Sequence, residues 1–124
     1  MSIKKSGYIQ LKIDGKLRAF KFGMNAFAKF FELRGIGFSD MESELSEKNP
    51  NMMAAMRDLI FAGAYAAAMS ADKEIDFNQS MVGDWLDEMP QEDFQHIMDA
   101  ITSSRVMAQG MQVETSAKKK TGKK

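Results

Sequence analysis

Asn51 to Ser70 reads NMMAAMRDLIFAGAYAAAMS, and the reading of this stretch decides the fold. Between Met52 and Met69 the only strongly polar residues are Arg57 and Asp58, and neither Pro nor a β-branched run interrupts the string. The spacing predicts one helix that is apolar on almost every side, and a helix of that kind must be enclosed by the rest of the chain. Ala62, Gly63, Ala64, Ala66, Ala67 and Ala68 let other backbones come close, while Leu59, Ile60, Phe61 and Tyr65 supply bulk. The uninterrupted apolar run, Leu59 to Met69, is well short of the roughly 20 residues that cross a bilayer. The stretch is therefore expected to be the central helix of a soluble domain, with no membrane association.

A chain of 124 residues predicts about one domain, and 44% hydrophobic with 27% charged residues is ordinary for a globular one. There is no cysteine, which removes disulfides, thiolate metal sites and cysteine nucleophiles together and fits a reducing cytoplasm. The opening MSIKKSGYIQ has two lysines but no apolar core behind them, so export is not expected. The formal net charge of zero hides a division along the chain. Residues 1 to 34 carry +6, residues 35 to 117 carry −11, and the last seven residues add five lysines. An acidic body repels nucleic acid over most of its surface.

Working outward from the central helix, Tyr8 to Phe22 carries a hairpin signal. Ile9, Leu11 and Ile13 alternate with polar neighbours, and Asp14-Gly15 supplies a two-residue turn with positive φ angles. That turn sets Ile9 opposite Phe20 and Leu11 opposite Arg18, with Ile9, Leu11, Ile13, Phe20 and Phe22 on the covered face. Met24 to Arg34 has Met24, Phe27, Phe30, Phe31 and Leu33 at helical spacing and ends at the C-cap signal Gly35. Ser39 is expected to cap a short solvated helix that ends at Asn49-Pro50, with Glu42, Glu44 and Glu47 as its wet face.

Beyond the central helix, Asp72, Glu74, Asp76 and Asn78 alternate as in a calcium loop. That reading fails, because the positions that need Gly and Glu hold Phe77 and Gly83. Ile75 and Phe77 are expected to pin this connection, with Asp76 or Asn78 capping a helix to Glu88 that turns Met81, Val82, Trp85 and Leu86 inward. Met89-Pro90 then starts a last helix whose buried side is Phe94, Ile97, Met98, Ile101 and Val106, leaving His96 exposed. With a single histidine and no recognisable carboxylate pair or phosphate loop, the sequence predicts no metal, no cofactor and no enzyme. The expected architecture is mainly α with minor β: an N-terminal two-stranded hairpin and about five helices packed around the central Ala-rich one, over residues 1–108. Residues 109–124 read as a disordered basic tail whose Lys118, Lys119, Lys120, Lys123 and Lys124 can bind nucleic acid or acidic surfaces by charge alone.

Three passages in order resemble a family. FKFGMNAFAKFFELRGIG (Phe20 to Gly37) resembles the opening of the small tail assembly chaperones of long-tailed bacteriophages and prophages. MRDLIFAGAYA (Met56 to Ala66) and SMVGDWLDEM (Ser80 to Met89) are similar to their second and third elements. The resemblance covers about residues 7 to 105, and no passage holds a catalytic signature. The chain departs from the family in the insert SDMESELSEKNPN and in its many methionines. The resemblance implies a helical holdase, made in the cytoplasm of an infected or lysogenic host and absent from the finished virion. It implies that the tape-measure protein is coated and delivered to the tail-tube protein, often with a frameshifted longer product. Lys118-Lys119-Lys120 would suit a slippery coding sequence.

The residues also fit a holdase on their own terms. Twelve methionines in 124 residues is high usage, and a flexible thioether surface repacks against many apolar partners. Met52, Met53, Met56, Phe61, Met81, Trp85 and Met89 are the candidate partner-binding residues, although apolar residues at these spacings also read as plain core. Self-association into a homo-oligomer is compatible with such a surface. The alternative is a small nucleic-acid-associated protein that uses the basic hairpin and the lysine-rich tail, with no sequence-specific recognition.

Overall fold

The computed structural model describes residues 7–107. The chain forms β1 (Tyr8–Ile13), β2 (Lys16–Lys21), α1 (Met24–Arg34), α2 (Met41–Glu44), α3 (Met52–Ser70), α4 (Gln79–Glu88) and α5 (Gln91–Thr102). It is mainly helical with one two-stranded antiparallel ribbon, as the periodicities predict. The alanine-rich helix is α3, and it packs against α1, β2 and α4, while α5 lies against β1. By length and hydropathy α3 also meets the requirements of a membrane span, but Leu59 through Ala64 are buried without a break, as in a core helix.

The hairpin turns where Asp and Gly tolerate it, with φ of 53° at Asp14 and 75° at Gly15. Its register pairs Ile9 with Phe20 and Leu11 with Arg18. Leu11, Ile13, Phe20 and Phe22 are buried, each worth about 1.5–3 kcal/mol against exposure. The ribbon is clamped from its open end, where the Phe22 amide donates to the Gly7 carbonyl at 2.7 Å. Phe22 then lies on α3 at Gly63, where a Cβ would sit only 2.3 Å from the ring. Glycine is required there by the close approach of the two elements.

α1 ends as expected at Gly35 in the left-handed conformation, and it buries Ala26, Phe27 and Phe30. Met24 departs from expectation: it is 71% exposed. It sits at the first helical position, off the end of the stripe that faces α3. The segment after Gly37 also differs from the capped helix expected from Ser39. Residues Phe38–Asp40 form a 3-10 turn, α2 has only four residues, and the Gly37 amide donates to the Asp40 carboxylate at 3.0 Å. Asp40 rather than Ser39 therefore organises this turn, and the buried Met41 anchors it. Downstream, Asn78 caps α4 by accepting from the Met81 amide at 2.8 Å. On α5, Ile97, Ala100 and Ile101 are buried and Phe94 and Met98 pack beside the core, with His96 exposed as expected, whereas Val106 packs beside the core from beyond the turn that ends the helix at Thr102.

Candidate partner-binding surface

The seven apolar residues singled out in the sequence do not form one face. Met53 is 80% exposed, Met52, Met56, Met81 and Met89 are half-buried, and Phe61 and Trp85 are buried. The last two belong to an aromatic chain through the core. The Phe61 and Phe77 rings lie 5.7 Å apart, Phe77 and Trp85 5.6 Å, and Trp85 meets Phe20 edge-on at 6.4 Å. Their placement corrects the expectation that they face a partner: large rings that join β2, the 71–78 connection and α4 are already fully engaged.

Two exposed methionines escaped the sequence reading. Met69 is 57% exposed in the last turn of α3, and Met24 stands at the start of α1. α1 runs antiparallel along α3, fixed by Arg34 against Asp58 at 3.0 Å and by the Lys29 ammonium 4.5 Å over the Tyr65 ring. Continuing that register brings Met24 level with Met69. Lys21 donates to Ser70 at the same end, and Tyr8, 38% exposed, is the ladder partner of Lys21. Tyr8, Met24 and Met69 therefore gather at one end of the domain. Met53 lies at the other end of α3, roughly 24 Å away at about 1.5 Å per residue. The signal for Met24 and Met69 was positional, since residues in the first and last turns of a packed helix overhang its partner.

A groove of about 1600 Å³ follows the hairpin, lined among others by Leu17, Ala19, Lys21, Ala68, Lys73 and Phe77. Arg18 forms part of its wall, and here too the sequence reading was incomplete. The ladder puts Arg18 on the same face as Leu11, and its guanidinium lies 4.7 Å over Trp85 and 5.5 Å over Phe77, donating to Asp76 at 2.7 Å. Its Nε is buried with no hydrogen-bond partner. The aromatic faces offset that loss, because a cation over an indole gains from the ring quadrupole. Asp76 also accepts from Lys16, and the hydrogen bonds from Lys16 and Arg18 hold its carboxyl down to about 2. Asp76 thus ties the 71–78 connection to the hairpin, and it is Asn78 that caps.

At the other end of α3, Asp58 is a carboxylate only 3% exposed. One oxygen accepts from Arg57 at 3.0 Å and Gln79 at 2.7 Å, and the other accepts from Arg34. Arg34 also holds Glu44 at 2.7 Å, so Glu44 is not the wet residue expected of α2. Burial alone would lower the Arg34 pKa, but the hydrogen bonds to Glu44 and Asp58 outweigh it, and the value is raised above the ordinary one. Both oxygens of Asp58 are engaged, and the network reads as a structural clamp joining α1, α2, α3 and α4.

Among the described residues no group of three His, Cys, Asp or Glu side chains is placed to hold a metal ion. The lysines at 118–120, 123 and 124 lie outside the described residues. No known protein family, curated protein or solved structure matches the chain.

Proposed function

We propose that this protein is a tail assembly chaperone: a holdase that binds the tape-measure protein of a long-tailed phage or prophage and helps recruit tail-tube subunits. The observation that carries the reading is the set of large flexible side chains left in water, Met24, Met53 and Met69, on a small helical body. Flexible thioethers left in water can repack against the apolar helices of a client. The three passages that resemble the family lie on β2 and α1, on α3, and on α4, which are elements in mutual contact through α3. Separated exposed sites, one at each end of α3, suit a long client that is held by many weak contacts rather than one deep groove. The acidic exterior keeps such a complex soluble. The protein would act in the host cytoplasm and leave before the virion is complete.

The nucleic-acid alternative is weakened because two of the hairpin's four cations, Lys16 and Arg18, are held by Asp76. The test is co-expression with the long helical tape-measure protein that this reading expects to be encoded downstream. Soluble, co-purifying partner is expected, and Met24→Ser with Met69→Ser should return much of it to the pellet. An insoluble partner with or without this chain would sink the proposal.

A further inference from the structure

We propose that residues 111–115 of this chain pair with the open edge of β1 as a third strand, parallel to it and seated in the groove beside α5. The inference does not rest on the chaperone reading. Along an antiparallel ladder, hydrogen-bonded pairs alternate with pairs whose backbone groups point outward. The Phe22 amide bonds the Gly7 carbonyl, so Tyr8, Gln10 and Lys12 direct their N–H and C=O groups away from β2. Among the described residues no backbone hydrogen bond meets them, and the sheet stops at two strands. Such a ribbon is marginal alone, and its bare edge is a template for another strand. The apolar face is incomplete at the same place: Leu11, Ile13, Phe20 and Phe22 are buried, whereas Ile9 is only half-buried. The groove there is lined by Tyr8, Ile9, Gln10 and Leu11 on β1 and by Asp99 and Ala100 on α5.

The occupant is set by where the chain leaves the domain. Ser104 is fully buried against Gly7, where an added Cβ would sit 3.2 Å from its own, and Met107 packs beside the core. Residue 108 therefore starts near the Tyr8 end of β1, and a strand entered from that end runs parallel to it. Gly110 permits the turn, and Met111-Gln112-Val113-Glu114-Thr115 has the period of two that a strand with one covered face needs. One register satisfies both faces. Met111 beside Ile9 and Val113 beside Leu11 complete the apolar side, while Gln112 lies beside Gln10 and Glu114 beside Lys12 pairs opposite charges. In that register the Gln10 amide donates to the Met111 carbonyl and the Val113 amide donates to the Gln10 carbonyl, while the Gln112 amide faces away. The tail read as disordered from 109 thus includes a strand, and Lys118, Lys119 and Lys120 follow it.

The test is amide hydrogen exchange of the full chain, resolved by NMR. The Gln10 and Lys12 amides should exchange at least roughly tenfold more slowly in the parent chain than in Val113→Pro, which removes a bonding amide. Gln112→Pro removes an amide that faces away, so it should keep the protection. The Leu11 amide, bonded within the hairpin, should be slow in all three chains and reports that the domain stays folded. Parent amides as labile as those of Val113→Pro overturn the proposal. So does equal loss with either proline, or protection that grows with protein concentration, since the strand would then come from another copy.

Discussion

Around Asp58, α3 meets its neighbours through charge: two arginines and a glutamine from three elements converge on one buried carboxylate. Further along the same helix, at Gly63, it meets them through shape alone, with the Phe22 ring seated where any side chain would stand. The charged end is directional. Arg34, Glu44 and Gln79 each have one geometry that satisfies the network, so it sets how far α1 and α4 slide along α3. The apolar end is not directional but is closely filled, so it sets how near the hairpin approaches. Registry and distance are thus assigned to different halves of one helix, and each can be broken separately.

The largest loss is expected at the apolar end. Phe22→Ala empties a fully buried site that also stacks on Phe20 with ring centroids 6.5 Å apart. About 3–5 kcal/mol is the usual range for such a cavity, measurable as a shift in the urea midpoint. Asp58→Ala should come next, at about 2–4 kcal/mol. Breaking a buried pair leaves uncompensated charge, but Arg34 keeps Glu44 and the half-buried Arg57 turns to water. If Asp58→Ala were instead neutral, the charged end would set registry without adding stability. Gly63→Ala is expected to cost about 1–2 kcal/mol, because the clash with Phe22 outweighs the gain in helix propensity. Combined with Phe22→Leu its cost should largely disappear. A strictly additive double mutant would show that the glycine is there for another reason.

The sequence discloses the apolar end far better than the charged one, and the reason is the range over which each signal acts. Alternation from Ile9 to Ile13, the Asp14-Gly15 turn and the alanines of α3 are local patterns, and they yielded the hairpin register and the core helix as they stand. Arg34, Glu44, Asp58 and Gln79 stand on four different helices, α1, α2, α3 and α4, so nothing in their spacing says that they meet. Arg18 shows the same limit, because an arginine on a strand reads as exposed until Trp85 and Phe77 arrive from elsewhere to receive it. The candidate surface was half legible. Methionine abundance was visible in composition, but which methionines stay wet depends on where each helix overhangs its partner, as Met24 and Met69 do.

Asp76 provides the smallest and sharpest test, since it is a charged contact at the apolar end. Its carboxyl is held down to about 2 by Lys16 and Arg18, against an ordinary value of 3.8. A lowered folded-state pKa means that the contribution is complete above the unfolded value and is lost as pH falls through the folded one, so the window runs from about pH 4 to about pH 2. Asp76→Asn should leave stability at neutral pH only slightly reduced, because the Asp76 carboxylate is itself exposed to solvent. Its effect should instead appear in the acid limb, where the difference from the parent chain shrinks as the parent's own Asp76 becomes protonated. The Trp85 fluorescence should report the same change, since the Arg18 guanidinium lies over that ring and Asp76 is what holds it there. A difference between the two chains that stays constant from pH 6 to pH 2 would mean that Arg18 is positioned by the aromatic rings alone, and that the hairpin owes its seat on α3 entirely to shape.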